Sequence, residues 1–192
     1  MTTKKSILLG LLILPLTFAL AEDNIAANSE RMEQRIKALS EHGANEDGGV
    51  DRVAFSEADI AGRAYIIDLM KGAGLATSVD TAGNIIGRRE GSETDLPPIL
   101  FGSHIDSVPG GGNYDGDVGV IGAIEVIELL EANDIRTRHP LEVVVFSDEE
   151  GGLTGSRAMV GKIDDDTLSV MSHSGMTIGE GIRALGGDPD RL

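Results

Sequence analysis

The chain contains no cysteine. It therefore has no disulfide framework, no thiolate metal ligand and no lipoprotein anchor, and any metal ion must be held by histidine, aspartate or glutamate. Cations are also scarce, since 16 lysines and arginines face 32 aspartates and glutamates, which gives a formal charge of −16. This acidic balance disfavours nucleic acids and anionic membrane surfaces as partners.

Missing motifs exclude several other kinds of site. No lysine lies between Lys71 and Lys162, so the glycine-rich stretch at 102–120 is not a phosphate loop, and its glycines lack the spacing of a dinucleotide-binding turn. A calcium loop starting at Asn113 would need a glycine where Val118 stands. The nucleophile elbow G-x-S-x-G does not occur in the sequence.

The amino terminus has the three-part pattern of a secretory signal peptide. Two lysines precede an apolar run at 7–14, and a small-residue A-L-A site ends at Ala21. The run is shorter than the ~20 residues of a membrane span. We therefore expect residues 1–21 to be removed on export, leaving 22–192 as a periplasmic or secreted protein that is not anchored in a membrane.

Alternating helix and strand patterns predict an α/β fold, with a mixed sheet flanked by helices. The predicted helices cover 28–40, 57–72 and 118–130, and the predicted strands cover 75–80, 84–88, 99–101 and 141–146. The strand at 99–101 is a short apolar run and is expected to be buried. Ser56 is expected to cap the second helix. In that helix Ile60, Ala64, Ile67 and Met70 recur at helical spacing, which is typical of an apolar face.

Polar side chains follow two of the predicted strands. His104 and Asp106 come soon after the third strand, and Glu149 and Glu150 come soon after the fourth. In open α/β sheets, ligands bind beyond the carboxyl ends of the strands. We therefore expect these two distant segments to meet in one crevice.

The residue types in these segments indicate a metal site. His104 offers a nitrogen ligand, and Asp115 and Glu150 offer carboxylates, a combination that suits zinc or a similar divalent ion. Asp115 lies in a glycine-rich loop that can turn its side chain inward, and one carboxylate can bridge two ions ~3.5–4 Å apart. The Asp106 carboxylate could accept the other imidazole N–H of His104 and so fix its tautomer.

The adjacent acids Glu149 and Glu150 are expected to take different roles. Neighbouring side chains of an extended chain point in opposite directions, so one of them would bind a given ion and the other could act as general base for water. Taken separately, an H-x-D triplet is usually a surface hydrogen bond and an E-E-G triplet a solvated turn. Their occurrence at two strand ends, with Asp115 between them, favours the metal site.

The same residues lie in motifs that resemble a known family. The chain is similar to the zinc amidohydrolases that include N-carbamoyl-L-amino-acid hydrolase, beta-ureidopropionase and allantoate amidohydrolase, which are related to two-zinc aminoacylases and dipeptidases. The matching stretches are DGGVDRVAFSEAD at 47–59, DTAGNIIGRREGS at 80–92, GSHIDSVPGGGNYDGDVGVIGAIEVIELL at 102–130, FSDEEGGLTGSRAMVG at 146–161 and SGMTIGEGIRALGGDP at 174–189.

The resemblance implies a role for each candidate residue. His104 would bind a first metal ion, Asp115 would bridge both ions, and Glu150 would bind the second. Glu149 would be the general base that takes a proton from water and later protonates the leaving nitrogen. Asp106 would orient His104. The ions would be Zn²⁺, with Mn²⁺ or Co²⁺ as alternatives.

The implied activity is hydrolysis of a linear carbamoyl or amide C–N bond in a small-molecule substrate. A carbamoyl amino acid would give the free amino acid, carbon dioxide and ammonia. An aminoacylase or dipeptidase activity with the same metal core is the alternative within enzymes. A catalytically inactive fragment is the alternative outside them. The full-length form is expected to be a homodimer.

The chain departs from the family pattern in two respects. It is about half the usual length, so 22–192 would be the amino-terminal part of the catalytic domain, and two further histidine ligands and the lid and dimerisation domain are expected beyond Leu192. None of His42, His139 and His173 is expected to replace those ligands. The segment after E-E-G is also shorter than in several members and lacks their arginine, which leaves the substrate subclass open.

Overall fold

The computed structural model describes residues 25–192, which are built on a four-stranded mixed sheet. Three long helices and several short ones accompany the sheet. In chain order the elements are α1 (Ser29–Ser40), α2 (Glu57–Gly72), β1 (Ala76–Val79), β2 (Ile85–Arg89), β3 (Ile99–His104), α3 (Asp117–Ala132), β4 (Leu141–Phe146), α4 (Glu149–Gly152), α5 (Thr154–Met159), α6 (Asp165–Leu168), α7 (Ile178–Ala184) and a 3₁₀ turn at Pro189–Arg191. The predicted α/β fold is confirmed.

The strand order β1-β2-β4-β3 places β4 inside the sheet and β3 at one edge. β1 and β2 form an antiparallel hairpin, and β2 pairs antiparallel with β4. β3 and β4 are parallel, with Ile99 opposite Leu141 and His104 opposite Phe146. Because β3 and β4 run in the same direction, their carboxyl ends lie at the same end of the sheet.

The main core lies between one face of the sheet and helices α1, α2 and α3. Leu39 of α1, Ile66 of α2 and Ile124 of α3 are fully buried in it, together with Val143 of β4. A smaller cluster around Phe55 attaches α7. The three helices thus cover one face of the sheet, as expected for layered α/β packing.

The predicted helix starts are confirmed, but the predicted apolar face of α2 is wrong. Ser56 caps α2 by accepting a hydrogen bond from the Asp59 N–H at 3.1 Å. Ile60, however, is 41% exposed, while Asp59 and Arg63 are buried on the inner face with Met70. The apolar spacing misled because charged residues occupy the buried face of α2, where polar partners satisfy them.

The expectation that residues 99–101 form a buried strand is also wrong. β3 continues to His104, and its residues Ile99 and Leu100 are 52% and 42% exposed. The physical reason is topological, since within the described residues β3 pairs with β4 alone and has an open outer side. An apolar run indicates a strand but does not show where in the sheet that strand lies.

Between residues 25 and 192 no helix is both long enough and apolar enough to cross a membrane. The predicted signal peptide at 1–21 lies outside the described residues.

We expect Ile124→Ala to lower the free energy of unfolding by about 2–5 kcal/mol, because it removes buried methyl groups and leaves a cavity under the sheet. Val126→Ala is the matched control, since Val126 lies on the same helix and is 44% exposed. The control should change stability by no more than about 0.5 kcal/mol. Urea unfolding followed by circular dichroism measures both, and equal effects would contradict this account of the core.

Candidate metal centre

The parallel pairing of β3 and β4 places two polar segments side by side. His104 is the last residue of β3, and Glu149 begins α4 just beyond the end of β4. Both segments leave the sheet at the carboxyl ends of the strands, which is where open α/β sheets bind ligands. The structure thus brings together residues that are more than forty positions apart, as their positions after the strands predicted.

His104, Asp115 and Glu150 form one group whose ligand atoms all lie within 4.8 Å of one another. The Nε2 atom of His104 is 4.0 Å from Oδ1 of Asp115. His104 is buried, whereas the Asp115 side chain is 76% exposed. One imidazole nitrogen and two carboxylates facing a common space fit zinc or another divalent ion in both chemistry and separation.

Gly116 allows the loop that carries Asp115 to pack against the histidine. Its φ is +68°, a conformation that side chains disfavour. A Cβ atom at this position would lie 2.5 Å from Cε1 of the His104 ring. Only glycine therefore brings the Asp115 carboxylate this close to the imidazole.

Asp106 contacts both halves of the site. The Nδ1 atom of His104 is 3.0 Å from the backbone oxygen of Asp106, whereas the nearer carboxylate oxygen is 3.8 Å away. The sequence predicted that the carboxylate would take this imidazole N–H, and the structure gives that place to the backbone carbonyl. The carboxylate instead accepts the backbone N–H groups of Glu149 and Glu150, at 3.2 and 3.0 Å.

The two glutamates lie on the single-turn helix α4 and not on extended chain. The prediction that they point in opposite directions is therefore wrong in its premise, because successive helical residues are separated by about 100° around the axis. Both can face the same crevice. Glu149 places its Oε2 atom 3.6 Å from Nε2 of His104, and Glu150 joins the ligand group.

Asp148 makes the sharp turn from β4 into α4. It is a buried non-glycine residue with a φ of +49°, and its carboxylate accepts a hydrogen bond from the Thr154 hydroxyl at 2.5 Å. Its backbone oxygen accepts the N–H of Gly152 at 3.2 Å and of Thr154 at 3.1 Å. Left-handed backbone of this kind costs about 1–3 kcal/mol and is concentrated at functional sites. The turn aims Glu149 and Glu150 at His104.

The site concentrates buried acids. Burial raises the pKa of the Asp148 carboxyl to about 6, although the hydrogen bond from Thr154 opposes the shift. Burial also raises the pKa of Asp106, although a hydrogen bond from the backbone N–H of Glu150 opposes the shift. Burial raises the pKa of Glu150 as well, against the opposing effect of His104. A cation bound among these carboxyls would favour their ionised forms and offset the cost of burying them.

The other three histidines are outside this ligand group, although His173 lines a small cavity together with Asp106 and Glu150. The His42 ring packs on Tyr65, with 5.9 Å between ring centroids, and Nδ1 of His139 lies 2.8 Å from the Pro97 carbonyl. His173 is exposed beside a cavity of about 130 Å³ that it lines together with Asp148. Among residues 25–192, only His104, Asp115 and Glu150 form a group with metal-ligand geometry.

We expect Asp106→Asn to weaken metal binding 10–100-fold, the usual effect of losing an outer partner of a ligand. An amide has only one acceptor oxygen, so its NH₂ group would face one of the two backbone N–H groups and loosen α4. Asp47→Asn, at an exposed loop position, is the control. Competition between the protein and a chromophoric chelator for Zn²⁺ gives the affinity. An unchanged affinity in Asp106→Asn would contradict the role of this carboxylate.

Comparisons with known proteins show which hydrolases this chain resembles. Residues 84–178 match Peptidase family M28. The N-carbamoyl-L-amino acid amidohydrolase of Geobacillus stearothermophilus is 40% identical over 168 residues, which cover 85% of this chain and 41% of that protein. The ureidoglycolate hydrolase of Arabidopsis thaliana is 36% identical over 143 residues, which cover 72% of this chain and 30% of that protein.

The solved structures show the same relationship. The hydantoinase/carbamoylase family amidase from Burkholderia ambifaria superposes with a TM-score of 0.80 at 33% identity, covering 85% of this chain and 42% of that one. The chain thus spans between 30% and 42% of the length of these relatives. The motifs and these matches confirm the resemblance that the sequence indicated: the chain is similar to hydantoinase/carbamoylase family amidases and to N-carbamoyl-L-amino-acid amidohydrolases.

Proposed function

We propose that the protein carrying this chain is a metal-dependent hydrolase of linear C–N bonds, acting on N-carbamoyl amino acids. The observation that carries the proposal is the convergence of His104, Asp115 and Glu150 within 4.8 Å, with the free carboxylate of Glu149 beside them. The names of the relatives from Geobacillus stearothermophilus and Arabidopsis thaliana support a carbamoyl or ureido substrate.

Two divalent ions, of zinc in the first instance, would be held here. His104 would bind one ion, Glu150 the other, and Asp115 both. When bound, such ions act as Lewis acids on the carbonyl oxygen and lower the pKa of water to about 7. Asp115 is suited to the shared position because a carboxylate has two oxygens and can bridge two ions.

Glu149 is the general base of the proposed reaction. It takes a proton from the attacking water, the water oxygen bonds to the carbonyl carbon, and the C–N bond breaks. Glu149 then returns the proton to the leaving nitrogen. A carbamoyl amino acid thus releases the free amino acid, and the remaining carbamate decomposes to carbon dioxide and ammonia.

In the full-length protein we expect Glu149→Gln to lower kcat about 10²–10⁴-fold, because glutamine cannot carry the proton. Metal content should stay unchanged, since Glu149 is not a proposed ligand. Glu46→Gln, at an exposed loop position, is the control and should retain full activity. Ammonia release gives kcat, and atomic absorption gives the metal content. Full turnover by Glu149→Gln with metal still bound would remove Glu149 from the mechanism.

Substrate comparison separates this proposal from its two alternatives. Ammonia release from carbamoyl amino acids supports a carbamoylase, whereas release of amino acids from N-acyl amino acids or dipeptides supports an aminoacylase or dipeptidase. The third outcome is a folded protein with no turnover. We expect that outcome for residues 22–192 alone, since His104, Asp115 and Glu150 leave two ions short of ligands.

Export is part of the proposal and rests on residues 1–21 alone. We expect the mature protein to begin at Glu22 and to be found in the periplasm or the medium. Amino-terminal sequencing of the secreted fraction checks this, and a protein retained with Met1 intact would contradict it.

A further inference from the structure

Arg52 is 1% exposed and contacts residues next to the proposed ligands, Ile105 beside His104 and Asp117 two residues after Asp115. Its Nε atom donates to the Ile105 carbonyl at 2.6 Å, and its Nη1 atom donates to the carbonyls of Leu39 and His42 at 2.9 and 3.0 Å. Its Nη2 atom lies 2.9 and 2.7 Å from the two carboxylate oxygens of Asp117. One guanidinium thus joins the end of α1, the chain just after β3 and the start of α3.

The backbone of Arg52 strengthens its link to the segment after β3. Its N–H donates to the Ser107 hydroxyl at 3.1 Å, and its carbonyl accepts the Ser107 N–H at 2.9 Å. Gly62 of α2 leaves room for the side chain, since a Cβ there would lie 2.9 Å from Cδ of Arg52. Arg52 is therefore fixed against the chain that carries His104 and Asp106.

Asp117 is the corresponding anchor on the other ligand segment. It is fully buried as the first residue of α3, and its N–H donates to the Asp115 carbonyl at 2.7 Å. Asp115 itself is 76% exposed, so its own surroundings constrain it little. Its position is set mainly by the neighbouring buried residue, through Gly116.

We propose that Arg52 and Asp117 are positioning residues of the metal centre, which set the separation between His104 and Asp115. Ile105, which Arg52 holds, is the neighbour of His104, and Asp117 is two residues from Asp115. The ion pair therefore links the two segments that carry His104 and Asp115. This inference rests on the proposed function only in requiring that the site bind a metal.

A purely structural role is the competing explanation, and the chemistry of buried ion pairs separates the two. Replacing both partners of a buried pair with apolar side chains of similar volume is often neutral or stabilising, whereas removing one partner strands a charge. The double variant Arg52→Met, Asp117→Leu also leaves the net charge unchanged. A loss of metal affinity in this double variant would therefore come from a change in the positions of the ligands and not from a change in net charge.

The test uses the full-length protein and Co²⁺ alone as the probe, with three measurements. These are the Co²⁺ affinity, the d–d absorption spectrum and the urea midpoint of the metal-free protein. For Arg52→Met, Asp117→Leu we expect folding to be retained, affinity to fall 10–100-fold and the spectrum to change. The control is Arg35→Met, Glu128→Leu, which removes a bidentate pair remote from the proposed ligands, with distances of 2.8 and 2.7 Å. It should leave affinity and spectrum unchanged.

A folded Arg52→Met, Asp117→Leu protein with wild-type Co²⁺ affinity and spectrum would overturn the proposal. If that variant does not fold, Arg52→Lys decides in the same way, because lysine keeps the charge but has three donors in place of the guanidinium fork. A wild-type protein that binds no Co²⁺ would instead refute the metal centre and the proposed function. Failure of the positioning role is thus distinguishable from failure of the site.

Discussion

The parallel pairing of β3 with β4 is the constraint on which the site depends. It places His104 opposite Phe146 at the ends of the two strands, so that the chain after each strand enters the same space. The pairing is held by β4, whose Val143, Val144 and Val145 are all fully buried. A slip of one residue would turn the His104 side chain to the other face of the sheet. Correct register in the sheet is therefore also correct assembly of the ligands.

Three buried contacts convert that register into a usable site. The Asp106 carboxylate holds the start of α4, the left-handed turn at Asp148 directs α4 back toward His104, and Arg52 links the segments on either side of the Asp115 loop. Each places charge where water cannot solvate it, which costs free energy unless partners are present. The Asp106 and Asp148 carboxylates accept hydrogen bonds from N–H and O–H donors, whereas the Arg52 guanidinium is paired with Asp117. A bound cation would complete this electrostatic arrangement.

Much of this arrangement could be predicted from the sequence because its signals are local. The alternation of elements, the cap at Ser56, the strands β1 and β2 and the polar residues after β3 and β4 all follow from short-range patterns. The exposure of Ile99 and the burial of Asp59 could not be predicted, since both depend on which elements become neighbours. The helical turn at Glu149 was missed for the same reason.

The residues that position the proposed ligands have weaker signals in the sequence than the ligands themselves. Arg52 gives no signal of its own in sequence, and its partner Asp117 lies 65 positions away. Asp117 does lie beside Gly116 in the stretch Y-D-G-D, so a second acid next to the proposed ligand could have drawn attention to it. Its purpose becomes visible only when the buried guanidinium is placed opposite.

The double hydrogen bond from Asp106 to the backbone of α4 has a dynamic consequence. Glu149 and Glu150 are carried by one short turn whose backbone N–H groups are held at one carboxylate, so a displacement of that turn moves both residues together. A fluctuation of the turn that draws Glu150 away from the crevice also withdraws Glu149. By linkage, whatever binds Glu150 and damps this motion also narrows the range of positions open to Glu149. Binding at Glu150 and the positioning of Glu149 are therefore thermodynamically coupled.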